Sequence, residues 1–342
     1  MKIALVSPYD LGKPGGVQSQ VRQLTAQLLT RGHQAWVVGP GTPPNLGVDV
    51  GPSVTVPANG SRAPISLHPA AIRRTREGVA GADVIHLHEP LMPLIGPALL
   101  SLHLKMVVTA HAAAPRWVER VYRLAPARWW EGRVMTAVSS IAAAPLPAPA
   151  QIIPNGLDTA IYRPREGKDP LRVAFLGRDD PRKGLNILLD AWPAVRQKVP
   201  GAELVVLGAD GPPHLAGVEF RGRVTESEKI AQLGRATVFT APNTRGESFG
   251  ITLVEGMAAG CATVASNLAA FAEVAGMTAR LVEPGSVVAL AGAISDLLLD
   301  PGEAARIGEE ARRQTERFDW SVVTPQYVDC YLSLSGSTAT PG

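Results

Sequence analysis

The chain has 342 residues, enough for two domains with full cores, and its 46% hydrophobic content is ordinary for α/β proteins. The net charge is only +3, but it is unevenly distributed. Residues 1–160 contain 14 Lys and Arg and 8 Asp and Glu, so the first half of the chain is expected to meet an anionic surface. No apolar run reaches the length of a membrane span. The two cysteines, Cys261 and Cys330, lie in apolar surroundings without metal-ligand spacing, so a reduced cytoplasmic protein is expected.

Apolar strands alternate with helical stretches in both halves of the chain. In the first half, strands are predicted at 2–7, 35–38, 84–87, 106–109 and 134–138. In the second half, they are predicted at 171–176, 204–207, 237–240 and 262–265. Such alternation is typical of doubly wound, mostly parallel sheets, so the sequence predicts two α/β domains.

Two glycines, Gly15 and Gly16, stand between the first strand and the first helix, whose apolar residues run from Val17 to Leu28. Backbone N–H groups at such a helix start favour phosphate. The glycines do not fit G-x-G-x-x-G, and no acidic residue closes the second strand, so nicotinamide dinucleotide binding is disfavoured.

Polar residues follow two strands of the first half. His111 comes directly after the strand at 106–109 and is expected at the carboxyl edge of the sheet, where ligands bind in such folds. In the segment HLHEP, His86 is interpreted as a core histidine, whereas Glu89 is expected to shape the floor of a ligand cleft.

Basic residues follow the first strand of the second half. Arg178 ends that strand, and Lys183 lies just before the next helix. A planar guanidinium and a point charge together can neutralise a diphosphate without a metal. No Asp-x-Asp pair occurs in the sequence, so no metal site is predicted and no cofactor is required. Stimulation by a divalent cation is nevertheless compatible with the absence of this pair.

The stretch Gly246 to Ser266 reads GESFGITLVEGMAAGCATVAS. It is predicted to form a loop with Glu247, a helix that begins after Gly250 and ends at Gly260, and a buried strand. Free N–H groups at the helix start suit a diphosphate. Glu255 lies about two turns beyond Glu247, and two carboxylates beside that site suit sugar and ribose hydroxyls.

The spacing Glu-x7-Glu in this stretch resembles the donor-sugar motif of retaining GT-B glycosyltransferases, the glycogen-synthase-like group 1 family. The resemblance extends over nearly the whole chain and includes the actinobacterial members that mannosylate phosphatidylinositol. It implies the GT-B fold, in which two Rossmann-like domains face a cleft. Residues 1–156 would form the acceptor and membrane-facing domain and 157–318 the donor domain, while 319–342 would return to the amino-terminal domain.

The same resemblance implies roles for individual residues. The expected catalytic residues are His111, Glu247, Arg178 and Lys183. The expected donor contacts are Gly15, Gly16, Arg178, Lys183, Glu226, Glu247, Ser248, Phe249, Gly250, Ile251 and Glu255. Recognition of the base would fall to Glu226 or Lys229, and an acid there suits the donor groups of guanine.

The expected acceptor contacts are Tyr9, Gln18, Asn59, Ser61 and Arg62. The chain departs from the family pattern at Pro64, at Ala112–Ala114 and at Asn267, which removes expected basic, hydroxyl and acidic side chains. GDP-mannose with phosphatidylinositol is the first choice of substrates. A UDP-sugar donor with a soluble or polysaccharide acceptor is the alternative pair of substrates. A different class of function also stays open, in which the chain is a non-catalytic remnant that binds a nucleotide sugar.

Two stretches of the first half combine basic and aromatic residues. Arg73, Arg74 and Arg76 fall within four residues, and the stretch 116–133 mixes arginines with three tryptophans and a tyrosine. Such composition suits an anionic headgroup layer, although a solvated basic helix has the same pattern. Together with the family resemblance, this composition implies a peripheral protein at the inner face of the cell membrane, with no nucleic-acid partner.

Overall fold

The computed structural model describes residues 1–58, 61–113, 116–212 and 214–336, without the side chains of 57, 58, 61, 62 and 116–118. The chain divides into two compact units. Unit 1 consists of Met1–Gly156 and Trp320–Gly342, and unit 2 is the continuous segment Leu157–Asp319.

Within its described residues, unit 1 contains a parallel sheet of seven strands and a separate antiparallel hairpin. The sheet strands are β1 (Lys2–Val6), β2 (Gln34–Gly39), β3 (Gly47–Asp49), β6 (Val84–His88), β7 (Met106–Ala110), β8 (Val134–Ala137) and β9 (Gln151–Ile152), in the order β3-β2-β1-β6-β7-β8-β9. The hairpin pairs β4 (Val54–Ala58) with β5 (Ser61–Ile65). The helices are α1 (Gly16–Thr30), α2 (Ala70–Gly78), α3 (Ile95–Leu100), α4 (Arg116–Leu124) and α5 (Ser140–Ala143).

Unit 2 repeats this architecture with a six-stranded parallel sheet among its described residues. Its strands are β10 (Asp169–Leu176), β11 (Glu203–Leu207), β12 (Val218–Phe220), β13 (Ala236–Ala241), β14 (Ala262–Ser266) and β15 (Ala279–Val282), in the order β12-β11-β10-β13-β14-β15. Its helices are α6 (Leu185–Lys198), α7 (Glu226–Arg235), α8 (Ile251–Ala258), α9 (Ala269–Ala275), α10 (Val287–Leu299) and α11 (Pro301–Gln314).

Helices cover both faces of each sheet, so the central strands are buried on both sides. Strand β6 is buried at every position, and β14 likewise. This explains why neither strand alternates apolar with exposed polar residues, and why their polar members, such as His86 and Thr263, are buried. The prediction of two doubly wound, mostly parallel sheets is confirmed.

The last helix, α12 (Trp320–Ser335), packs into the core of unit 1. Its buried face contributes Trp320, Val323, Tyr327 and Tyr331 to the cluster that contains Leu5 and Val107. The Trp320 indole also covers Gly156, where a Cβ atom would collide with the ring. The side-chain amide of Gln20 accepts a hydrogen bond from the Gly156 N–H and donates one to its carbonyl, each at 2.9 Å.

Candidate active site

In unit 2, the loop after β13 brings two of the predicted catalytic residues together. Lys183 Nζ lies 2.9 Å from Glu247 Oε2, and Asn243 Nδ2 donates to the same oxygen at 2.8 Å. Both members of the ion pair keep some exposure, 23% for the Lys183 side chain and 16% for that of Glu247. The pair is therefore accessible to a ligand while it is held by Asn243, which sequence reasoning did not identify.

The helix α8 begins as the sequence predicts, directly after Gly250. Gly250 has a φ of 95°, and a Cβ atom there would meet the Phe271 ring, so both conformation and space favour glycine. The Phe249 side chain is buried and packs edge-on against Phe318 at 5.5 Å between ring centroids. Ser248, Phe249, Gly250 and Ile251 can therefore meet a donor through their backbone, whereas the Phe249 ring belongs to the core.

Glu255 is buried on α8 and forms a cluster with two residues of other elements. Its Oε1 lies 2.6 Å from Lys229 Nζ and accepts a hydrogen bond from Tyr162 Oη at 2.8 Å. Tyr162 Oη also lies 2.8 Å from Glu226 Oε1, and Lys229 pairs with Glu226 at 2.8 Å. The structure thus joins the two acids that the sequence assigned to the nucleoside, and Tyr162 is the residue that sequence reasoning missed.

Burial is the main cause of the pKa shifts in this cluster. It raises the pKa of Glu255 against the opposing effects of Lys229 and Tyr162. Burial raises the pKa of Tyr162 as well, and the neighbouring carboxylates Glu255 and Glu226 raise it further. For Lys229 burial acts in the lowering direction, yet the same two carboxylates outweigh it and raise the pKa. Lys229 is therefore a firmly charged partner for Glu255.

The loop after β10 carries the other predicted cations. Arg178 follows the strand and is exposed. Arg182 forms an ion pair with Asp180 at 2.7 Å, and the same carboxylate accepts the Arg182 backbone N–H at 3.0 Å. The hydrogen bond from the Arg182 side chain lowers the pKa of Asp180. Arg182 is thus held by its own loop, whereas Lys183 points to Glu247.

In unit 1, helix α1 begins at Gly16 with no acidic residue in its first turn. A Cβ atom at Gly16 would meet nothing within 4 Å, whereas one at Gly15 would collide with the Gln18 side chain. Gln18 is buried and its amide lies 3.5 Å from the Asp10 carbonyl. The helix start is therefore open at Gly16, in keeping with the predicted approach of a phosphate.

The predicted acceptor residues fall on the loop after β1 and on the hairpin. Asp10 N–H donates to the Pro64 carbonyl at 2.9 Å, and Tyr9 forms a bridge with Ile65, so the loop and β5 are joined. Burial raises the pKa of Tyr9, with a further contribution from the charge of Glu89. Asn59 lies outside the described residues, and Ser61 and Arg62 are described only in their backbone.

His111 is buried at the carboxyl end of β7, as expected from the sequence. Its Nε2 lies 2.8 Å from His88 Nδ1, and its ring also has a side-chain hydrogen bond with Asn155. Burial lowers the pKa of His111 to about 4, so the imidazole is neutral at neutral pH. A neutral ring held by these two partners has a fixed orientation and carries no charge.

His86 is a core residue, as the sequence indicated. It is fully buried, and its ring nitrogens lie 2.8 Å from Tyr331 Oη and 2.6 Å from Thr109 Oγ1. Burial lowers its pKa to about 3. Glu89 is also buried, and its Oε1 accepts the backbone N–H of His111 at 2.7 Å. The carboxylate thus belongs to the strand ends around His111.

The predicted membrane residues lie on exposed helices of unit 1. Arg73, Arg74 and Arg76 are exposed on α2, and Arg73 pairs with Glu77 at 2.8 Å. On α4, Leu124 is 84% exposed beside the exposed Arg123. Among the described residues no helix is long and apolar enough to cross a membrane. The described part of the chain also holds no group of three His, Cys, Asp or Glu side chains arranged for a metal ion.

Comparison with known proteins agrees with this arrangement. The family descriptions that match are Glycosyltransferase Family 4, over residues 14–161, and Glycosyl transferases group 1, over residues 170–300. The protein named phosphatidyl-myo-inositol mannosyltransferase from Mycobacterium tuberculosis is 36% identical, over 99% of this chain and 98% of its own length. Its namesake from Propionibacterium freudenreichii is 34% identical, over 99% and 97%. The chain belongs to the group 1 glycosyltransferases.

Solved structures agree on the fold of this glycosyltransferase. Sucrose-phosphate synthase from Thermosynechococcus elongatus has a TM-score of 0.75 at 21% identity, covering 98% of this chain and 100% of that one. The Anabaena protein HepE in complex with UDP and glucose has a TM-score of 0.75 at 19% identity, covering 96% and 98%. The prediction of a GT-B fold is confirmed by these likenesses.

Proposed function

We propose that this glycosyltransferase moves mannose from GDP-mannose to phosphatidylinositol, with retention of configuration, at the inner face of the cell membrane. The observation that carries the proposal is the similarity, over nearly the full length, to relatives named phosphatidyl-myo-inositol mannosyltransferase. Those relatives are 34% to 36% identical. The residues of both units supply the chemistry that such a transfer needs.

On the donor side, the charge that develops on the leaving diphosphate is the main feature to be stabilised. Lys183 and Arg178 provide fixed positive charge, and the start of α8 in the same unit provides N–H groups. Glu247 is close enough to Lys183 to orient a sugar hydroxyl beside the diphosphate. No divalent ion is required in this scheme, although one can stimulate the reaction.

The nucleoside is assigned to the cluster around Glu255. This carboxylate is buried, and an acid of this kind suits the ribose hydroxyls. Glu226 is 61% exposed and can accept hydrogen bonds from the N1–H and amino group of guanine. This favours GDP as the leaving group.

On the acceptor side, the bond between the sugar C1 and the phosphate oxygen breaks while an inositol hydroxyl oxygen bonds to C1. The departing phosphate takes the hydroxyl proton, so no protein nucleophile is needed. His111 is neutral and can orient the reacting groups. Tyr9, Gln18, Asn59, Ser61 and Arg62 are assigned to the inositol phosphate, and the arginines of α2 to the anionic bilayer.

A second candidate keeps the chemistry but changes the substrates. The Anabaena protein HepE, which has a similar fold, was solved with UDP and glucose, and this favours a UDP-sugar donor. The absence of side-chain hydroxyls at Ala112 and Ala113 removes possible acceptor contacts, which favours a different acceptor. In this alternative the acceptor is soluble or a polysaccharide.

The deciding experiment offers the pure protein two donors and two acceptors. Radiolabelled GDP-mannose and UDP-glucose are each incubated with phosphatidylinositol vesicles and with soluble inositol phosphate, with and without a chelator. We expect labelled lipid from GDP-mannose alone, with an α linkage by NMR and with activity retained after chelation. Transfer only from UDP-glucose or only to the soluble acceptor supports the second candidate. Binding of nucleotide without any transfer supports a non-catalytic remnant.

A further inference from the structure

Glu89 makes contacts that no role in donor or acceptor binding explains. It follows β6 directly, and its side chain is buried with 7% exposure. Its carboxylate accepts the backbone N–H of His111 at 2.7 Å and also that of Ala112. Two consecutive N–H groups of one strand end therefore converge on a single carboxylate of the neighbouring strand end.

The backbone of Glu89 is in a conformation that is unfavourable for this residue type. Its φ is 50°, in the left-handed region that residues with a Cβ atom rarely adopt. The local hydrogen bonds are nevertheless complete, because its N–H donates to Thr109 O at 2.9 Å and its carbonyl accepts from Met92 N at 3.1 Å. The bend thus keeps the ladder between β6 and β7 while it turns the side chain onto His111.

We propose that Glu89 is a positioning residue for glycosyl transfer, whose ionised carboxylate fixes the backbone that carries His111. This inference rests on the proposed function for the role of His111. The contact has two parts, since His88 holds the ring of His111 and Glu89 holds its main chain. A carboxylate suits the task because it accepts both N–H groups at once, with a charge-assisted bond to each.

Electrostatics make this contact sensitive to pH. Burial raises the pKa of Glu89 to about 7, against the lowering effect of the N–H groups of His111 and Ala112. The titratable groups that face it are Tyr9 of the loop after β1 and Tyr122 of α4. Burial raises the pKa of both tyrosines far above neutrality. Below about pH 7 the carboxyl group becomes protonated and can no longer accept both N–H groups as a charged partner.

The histidines nearby do not titrate in the same range. Burial lowers the pKa of His111 to about 4 and that of His88 well below its ordinary value. Among the described residues around this strand end, Glu89 is therefore the group that changes charge near neutral pH. A signal from the His111 amide that titrates near pH 7 would report on Glu89.

The first test measures the contact itself in the full-length protein. Labelling with 15N-histidine gives seven backbone amide signals, one for each histidine, and His111→Asn identifies the signal of interest. We expect the wild-type His111 amide proton to shift with a midpoint near pH 7, and to lose that titration in Glu89→Gln. No titration near pH 7, or the same titration in both proteins, overturns the proposal.

The second test measures transfer as a function of pH. Wild-type kcat is expected to fall below about pH 7, whereas Glu89→Gln should have a kcat about tenfold lower at pH 8 and no acidic decline, with the donor KM unchanged. Glu309→Gln, at an exposed position of α11, is the matched control. An acidic decline that persists in Glu89→Gln overturns the proposal. If the wild type transfers no sugar, the proposed function is wrong. The titration of the His111 amide still shows whether the Glu89 carboxylate holds this backbone.

Discussion

Lys183 Nζ lies 2.9 Å from Glu247 Oε2, so the cation assigned to the diphosphate is paired with the carboxylate assigned to the sugar. The two residues are separated by 64 positions in the chain. A change in either one alters the charge environment of the other. If a diphosphate binds beside Lys183, as proposed, we expect it to compete with Glu247 for the ammonium group and so to change the position of that carboxylate.

Replacement of Lys183 by Ala should lower kcat/KM for the nucleotide sugar by about ten- to a hundredfold, because a charge-assisted hydrogen bond contributes about 1.5–3 kcal/mol. Steady-state kinetics with the preferred donor measures the change. Lys198→Ala, at an exposed position of α6, is the control and should retain full activity. Full activity and unchanged GDP affinity in Lys183→Ala would remove Lys183 from the donor site.

Replacement of Tyr162 by Phe should destabilise unit 2 and weaken nucleotide binding. The hydroxyl contacts both Glu255 and Glu226 at 2.8 Å, and its loss leaves a buried carboxylate with one partner fewer. The expected decrease in the free energy of unfolding is about 1–3 kcal/mol. Calorimetry measures both the unfolding and the affinity for GDP. An unchanged melting temperature together with unchanged affinity would show that the cluster does not depend on Tyr162.

The buried His111 should make stability fall as the pH decreases from about 6.5 to about 4, because its counterpart in the unfolded chain binds a proton in this range while the buried ring stays neutral. The folded-state pKa of His111 is about 4, below its ordinary value of 6.5, so the folded state loses stability as protons bind to the unfolded chain. This shift corresponds to a contribution on the order of 3 kcal/mol. Urea unfolding at several pH values measures the slope.

The His111→Gln variant should show a smaller loss of stability over this pH range than the wild type. The exposed His214 is the control, and His214→Gln should follow the wild-type slope. Identical slopes in all three proteins would show that His111 is not buried as a neutral group.

Replacement of Arg73, Arg74 and Arg76 by Ser should release the protein from vesicles that contain phosphatidylinositol. Each basic residue near an anionic bilayer contributes about 1 kcal/mol, so the three together affect partitioning by roughly a hundredfold. Sedimentation with vesicles at low salt measures the partition, and GDP affinity should stay unchanged. The side chain of Arg73 is 70% exposed despite its pair with Glu77, so it is available to lipid.

The matched control replaces three exposed arginines of unit 2, Arg163, Arg165 and Arg313, by Ser. This variant has the same change in net charge and should still sediment with the vesicles. If both triple variants are released equally, the attraction depends on total charge rather than on α2. If the wild type does not sediment, the assignment of the protein to a membrane surface is wrong.

Structural features that depend on contiguous residues could be predicted from the sequence. Contacts between residues that are far apart in the chain could not. The α8 region could be predicted because its loop, helix start and glycines are contiguous from Gly246 to Gly260. The partners of Glu255 could not, since Tyr162 is 93 residues away and stands in a segment without apolar periodicity. The same holds for the contact between Glu89 and His111, which meet only because β6 and β7 are neighbours.

The strands predicted from the sequence do not include the hairpin of β4 and β5, for a different reason. Pro57 and Pro64 interrupt its two strands, and proline inside a strand pattern argues against a strand. The hairpin tolerates them because it is a two-stranded ribbon separate from the seven-stranded sheet, so neither proline lies in a central strand. The edge strands β3, β9 and β12 have only two or three residues, too few for a period-two pattern to appear.

The docking of α12 against unit 1 determines how the protein can be divided genetically. Unit 2 is one uninterrupted segment whose ends are adjacent, since Leu157 N–H donates to Phe318 O at 2.8 Å and Leu157 forms a bridge with Asp319. Unit 1 is encoded in two pieces, and a stop codon after Asp319 would remove Tyr327 and Tyr331 from its core. Expression of unit 1 alone thus requires a short linker from Gly156 to Trp320, residues that already touch, whereas 157–319 can be excised as a single cassette.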